Sequence, residues 1–375
     1  MTVGDSRNNE QEELRFMSHL SYRVSVKPLK LVAAVAMLLL SRAALADKID
    51  ANAPADRNRL IREITTSSPP KSVWEHINVV LSWAHGKPYD DTVRILQDYF
   101  KTLPPPNADE LTALKDRLRK ELLYVKGGEF VMGDFGPQSS PEKLPYSAND
   151  GAAPAHDVGL DSYSILKHRV TFADFDLYTR AKHLPPVGIR EALDLQYRFP
   201  DFPAAFVTWQ QSRDFCKWAG DVAGLPLDLP TEAQWEYAAR SRGEKWVIPS
   251  TEVPVVDGKY DVTQMDQLIT AKGKGTSPAP EFSRPVGTYG DNKLGMSDVF
   301  GYGKEWTYDW FDANYYSHSP SRNPHGPTTG TLRSVRYATD SRIHLVIDRV
   351  GVAPDSAKSD VGFRCVLNRS EPVLQ

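Results

Sequence analysis

The chain has 375 residues, 41% hydrophobic and 25% charged, with a formal net charge of -3. That length and composition fit a globular protein with room for one large domain and a smaller one. The balance of charge excludes the basic stripe that marks a nucleic-acid-binding surface, while 28 Pro, 24 Gly, 16 Tyr and 8 Trp predict a loop-rich fold pinned by large rings.

In chain order, the first feature is an apolar run, LVAAVAMLLL at 31–40, preceded by Lys27 and Lys30 and followed by SRAALA and Asp47. The run is too short to span a bilayer and has the length of a signal-peptide core, and Ala44-Leu45-Ala46 supplies an A-x-A cleavage site. We therefore expect a signal peptide over 1–46, no membrane span after its cleavage, and a periplasmic or secreted protein. Met17 offers an alternative start that gives a more compact charged region before the run. No cysteine follows it, so a lipid anchor is not expected.

Residues 47–123 carry apolar residues at spacings of three and four, in NRLIREI, SVWEHINVVLSWAHG, DDTVRILQDYF and ADELTALKDRLRKELLYV. This periodicity predicts a helical N-terminal domain. Breaks fall at SSPPK, GKP and LPPPN, where proline stops a helix, and Asn107 is placed to cap the last helix. His76 and His85 do not share a helix face, and no metal-ligand spacing occurs here. From 124 the pattern changes to strand-like runs broken by glycine in YVKGGEFVMGDFG. VGLDSYSILKHRVTFADFDLYTRA reads as a strand leading into a helix. FVTWQQSRDFCKWAGDVAG reads as a helix entered after a strand. In LPTEAQWEYAARS, Thr231 and Gln234 form the S/T-x-x-E/Q capping box of a further helix. Residues 242–330 read as turns and short strands, and 370–375 as a tail. The two cysteines, Cys216 and Cys365, both lie in the exported part, where an oxidising compartment permits a bridge between them. Two free buried thiols are the alternative.

The phrases GGEFVMG, HRVTFADF, FVTWQQSRDFCKWAG, LPTEAQWEYAARS, LGMSDVFGYGKEWTYDW and VGFRC, in this order, resemble the sulfatase-modifying-factor family, also called formylglycine-generating-enzyme-like. The resemblance covers 124–369. It implies an α+β fold related to C-type lectins, with little regular secondary structure. It also implies a structural disulfide between Cys216 and Cys365, which are similar in position to a bridge in the family's vertebrate-type members.

The chain departs from that family where its chemistry resides. The enzymes bind copper through two cysteines shortly before the GFRC phrase, and paired thiolates suit a soft ion. The matching positions here fall near Ser341 and Val346, and the stretch 336–352 contains no cysteine. The iron-binding histidine motif of the related sulfoxide synthases is not supplied by 47–123 either. The family phrase G-N-x-W-E-W reads Gly301-Tyr302-Gly303-Lys304-Glu305-Trp306. The resemblance places a calcium ion near that phrase, for which Glu305 would be the remaining ligand. The rewritten cleft leaves Lys304, Asp340 and His344 as candidate acid–base residues, with Lys304, Tyr302, Arg342 and Asp348 as candidate binding residues. Arg349 falls where the family often has an arginine and is expected in a structural salt bridge. The reading that results is an exported, non-catalytic binding or accessory protein with a protein partner in the cell envelope, for instance an immunity or secretion-associated protein. Its alternative is a periplasmic enzyme of the PvdO type that acts on a small molecule or peptide without copper.

Overall fold

The computed structural model of the chain describes residues 89–190, 194, 197–247, 255–256, 259–260, 283–301, 303–338 and 345–373. The expected signal peptide, the helices predicted before 89, and Tyr302, Asp340, Arg342 and His344 lie outside the described residues.

Five helices of two or more turns are present among the described residues: α1 Tyr89–Thr102, α2 Ala108–Glu121, α3 Phe172–Ala181, α4 Trp209–Ala223 and α5 Glu232–Ala239. Local chemistry sets their starts. The Asn107 side chain accepts from the Glu110 amide at 2.9 Å, and the Glu110 carboxylate accepts from the Asn107 amide at 2.8 Å, closing the box that starts α2. Thr208 with Gln211, and Thr231 with Gln234, repeat the device at α4 and α5. Gly224 ends α4 in the left-handed conformation, φ 68°, which only glycine adopts without strain.

The strands are β1 Leu122–Val125, β2 Gly128–Met132, β3 His156–Leu160, β4 Tyr163–Leu166, β5 Leu227–Asp228, β6 Val255–Val256, β7 Lys259–Tyr260, β8 Lys304–Trp310, β9 Arg333–Tyr337, β10 Arg349–Val352, β11 Val361–Gly362 and β12 Val366–Leu367. One sheet runs β1-β4-β12-β5 with antiparallel pairs, and a second runs β10-β9-β8-β11 with β11 parallel to β8. β2 and β3 form a separate antiparallel pair, as do β6 and β7. Short strands and long irregular connections make this the α+β fold expected.

Two apolar clusters fill the interior. The first gathers Leu114 and Leu118 of α2, Phe175 of α3, Phe215 and Trp218 of α4, Trp306 of β8 and Phe363. Phe215 stacks on Phe175 with ring centroids 5.6 Å apart and meets the edge of Phe363 at 5.5 Å. Removing each such ring from water contributes about 1.5–3 kcal/mol. The second cluster gathers Phe130, Met132, Tyr163, Trp235, Met296 and Phe300. Beside Phe215, Cys216 of α4 is bonded to Cys365, with Cα atoms 5.7 Å apart, which ties α4 to the chain between β11 and β12. Both sulfurs are fully buried.

Three expectations change. The helix predicted to run on to 123 stops at Glu121, because Leu122–Val125 pairs along its length with Tyr163–Leu166. A run of apolar residues satisfies either periodicity, and the available strand edge decides it. The same helix seats Leu114 and Leu118 in the main core rather than in a separate N-terminal body. The segment before α4 is not a strand: Phe206 sits at φ 58°, and its amide donates to the Lys358 carbonyl at 2.9 Å. No helix among the described residues is long and apolar enough to cross a membrane.

Candidate functional site

The phrase Gly301–Trp306 turns sharply and then becomes the start of β8. Gly301 and Gly303 have φ of 124° and 104°. A Cβ at Gly303 would stand 2.7 Å from Arg169 Nη1, so glycine is required for the backbone to approach that guanidinium. Lys304 follows, with its amide donating to the Asp360 carbonyl at 2.7 Å. Its ammonium is paired with the Asp360 carboxylate and lies 5.2 Å from the centre of the Tyr337 ring. Lys304 is therefore half-buried and held on both sides, not a solvated loop charge.

Glu305 points the other way, into the interior. It is 1% exposed and accepts from Arg364 Nε and Nη2, both at 2.7 Å, and from Trp235 Nε1 at 2.9 Å. Arg169 Nε stands 3.9 Å away. Burial pushes its carboxyl up, but the charge and hydrogen bonds of Arg364 prevail and hold it below the usual carboxylate range. The expectation of a calcium ligand at Glu305 is corrected on this geometry. Both oxygens are taken by one guanidinium fork and an indole, and the positive charge an ion would bring is supplied by two arginines. A copper–thiolate centre does not fit either, because the chain has only two cysteines and they are bonded to each other.

A second buried ionic network surrounds α5. Arg349 Nη2 and Nε lie 2.9 and 2.7 Å from the two oxygens of Glu232. Arg240 Nη1 and Arg336 Nη2 donate to the two oxygens of Glu236, each at 2.6 Å. The Tyr316 hydroxyl donates to Glu232 and accepts from Arg336, both at 3.0 Å. Burial raises the Glu232 carboxyl, and Arg349 and Arg336 reverse this to hold it low. Asp309 accepts from the Glu232 amide at 2.8 Å, yet burial, and then the charge of Glu232, push its carboxyl well above the ordinary value. The salt bridge expected of Arg349 belongs to this network. Asp348, expected as a binding residue, is 1% exposed: Ser147 Oγ donates to it, and the Leu345 amide donates to it at 2.8 Å. A carboxylate spent on holding two chain segments is corrected from a surface contact to an internal brace.

The sequence reading did not single out Arg169, Arg284 or His156. Arg169 and Arg284 are 6% and 7% exposed and line a recess beside Gly303, Ser283, Ser359 and Asp360. The His156 ring lies 4.6 Å from Tyr316, and burial lowers its basicity. Nothing in the spacing of these residues marks them, since their neighbours come from distant parts of the chain.

KEW, EAQW and GFRC thus converge on one buried ion pair, Glu305 with Arg364, to which Trp235 also donates. The family described as the sulfatase-modifying factor enzyme 1-like domain matches residues 108–369. The chain belongs to that family. A formylglycine-generating enzyme of Streptomyces coelicolor is 29% identical over 315 residues, covering 70% of this chain and 94% of that protein. The inactive C-alpha-formylglycine-generating enzyme 2 of Mus musculus is 25% identical over 306 residues, covering 67% of this chain and 87% of that protein. Among solved structures, PvdO from Pseudomonas aeruginosa superposes with a TM-score of 0.51 at 21% identity, over 66% of this chain and 93% of that one. This likeness concerns the fold.

Proposed function

We propose that this member of the family is an exported, non-catalytic binding or accessory protein, with a protein partner in the cell envelope. One observation carries the reading: both cysteines of the chain are consumed in the Cys216–Cys365 bond, so no thiolate pair exists to hold copper. The position that the resemblance assigns to a cleft tryptophan is Lys304, locked onto Asp360, and Glu305 serves Arg364 rather than an ion. A scaffold braced by internal arginine–carboxylate pairs tolerates rewriting of its loops, since a fold does not fix a function. The mouse relative described as inactive shows that the family includes members without the activity. Export is supported by the apolar run at 31–40 and by a disulfide, which persists outside reducing compartments. An immunity or secretion-associated role is the form of this reading that suits a partner in the envelope.

The test is affinity capture from an envelope extract, followed by reconstitution with the purified partner. A 1:1 complex of fixed stoichiometry supports the reading. Turnover of a small molecule or peptide by the chain alone, with no stoichiometric partner, would instead establish the copper-free enzyme.

A further inference from the structure

We propose that the recess between Arg169 and Arg284 is a carboxylate-binding site. Both arginines are more than nine-tenths buried. Among the described residues, Arg284 Nε and Nη1 and Arg169 Nε are enclosed and have no hydrogen-bond partner. A guanidinium taken out of water without an acceptor is destabilising, so the arrangement is complete only when an anion joins it. The acids nearby are already engaged: Glu305 accepts from Arg364 and Trp235, with Arg169 Nε standing 3.9 Å off, and Asp360 is paired with Lys304. The wall is also shaped for close approach. Gly303 contributes no side chain, and any Cβ there would collide with the Arg169 guanidinium.

Size and geometry select the anion. The recess has room for about one water-sized group, ≈ 10 Å³, and is partly open to solvent. A carboxylate offers one oxygen to the interior and keeps its second at the mouth, and planar guanidinium forks match its two acceptors. With room for one such group, the recess favours a planar carboxylate over the bulkier tetrahedral phosphate. Ser283 and Ser359 also line the recess, so serine hydroxyls are at hand for the outer oxygen. A free small acid and an acidic side chain of a bound protein both carry this group, and the recess recognises what is common to both. This site stands independently of the non-catalytic reading, which rests on the cysteines.

The experiment is thermal unfolding of the purified protein in rising sodium acetate, at constant ionic strength set with sodium chloride and at pH 7. At roughly ten times its Kd, acetate should raise Tm by about 3–5 °C, with saturation. Chloride and phosphate should give no such shift, and Arg284→Gln should abolish it. Because Nε and Nη1 of Arg284 donate to no acceptor among the described residues, that variant is expected to fold. Should it fail to fold, phenylglyoxal modification of Arg284 in the wild-type protein decides: acetate at the same concentration should slow it about tenfold. A C-terminally amidated peptide with a single glutamate that reproduces the shift at lower concentration assigns the carboxylate to a protein; acetate or succinate outperforming the peptide assigns it to a small acid. An acetate response equal to that of chloride or phosphate, an unchanged response in Arg284→Gln, or no protection of Arg284 would overturn the site.

Discussion

Glu305→Gln is the substitution that separates a structural ion pair from a metal ligand. Glu305 is fully buried between Arg364, at 2.7 Å from each oxygen, and Trp235, with Arg169 at 3.9 Å. Glutamine keeps one acceptor oxygen and nearly the same shape but removes the charge that two enclosed guanidiniums face. Breaking a buried pair in this way costs about 3–5 kcal/mol, because the remaining charge stays desolvated. For a domain of this size that is a fall in Tm of about 6–20 °C. The folded-state carboxyl is held low, so this stability is present above the usual carboxylate range and is lost as pH falls through the folded value. The gap between wild type and Glu305→Gln should therefore be full at pH 7 and narrow in acid. Thermal unfolding with and without a calcium chelator is the assay. A loss below about 1 kcal/mol, or a wild-type Tm that drops on chelation while that of Glu305→Gln does not, would refute the pairing with Arg364.

Further outcomes follow from the same interior. Reduction of Cys216–Cys365 opens a loop whose ends are 149 residues apart, and the chain-entropy relation gives a loss of about 5 kcal/mol. Unfolding followed with and without reductant should show it, and a reduced protein as stable as the oxidised one would contradict the bond's structural role. Asp309 behaves in the opposite sense to Glu305. Its carboxyl is raised in the folded state, so it costs stability that builds as pH rises above the ordinary carboxylate value and returns as pH falls. Asp309→Asn keeps an acceptor for the Glu232 amide and should match or exceed wild type at pH 8, with the difference shrinking toward pH 5. Denaturant midpoints across that range check it, and a deficit relative to wild type that widens toward pH 8 would show instead that the charge is needed.

Much of the frame is legible in the sequence, and the reasons are local. Asn107, Thr208 and Thr231 begin helices because their side chains cap the amides three residues on, and each has a Glu or Gln at the matching position. The family phrases announce the fold because their glycines, tryptophans and buried charges have fixed partners. The bonding of Cys216 to Cys365 follows the resemblance rather than any spacing, since a long separation alone permits free thiols equally well. Other features depend on what the chain meets after folding. Leu122–Val125 satisfies a helical or an extended pattern until β4 offers it an edge. Asp348 has the composition of a surface acid and becomes internal only because Ser147 and Leu345 close around it. Lys304 was legible as a changed position but not as the partner of Asp360, and the recess of Arg169 and Arg284 has no local signature at all. Asp340 and His344 lie outside the described residues and remain candidates on sequence grounds.

With both cysteines joined in one bond, the chain has no thiolate pair to hold copper. Incubation of the purified, oxidised protein with Cu(I) and a cysteine-containing peptide in the presence of oxygen tests it directly, with metal analysis of the protein and mass spectrometry of the peptide. No stoichiometric copper and an unchanged peptide are expected. One bound copper per chain, together with conversion of the peptide cysteine to an aldehyde, would contradict it.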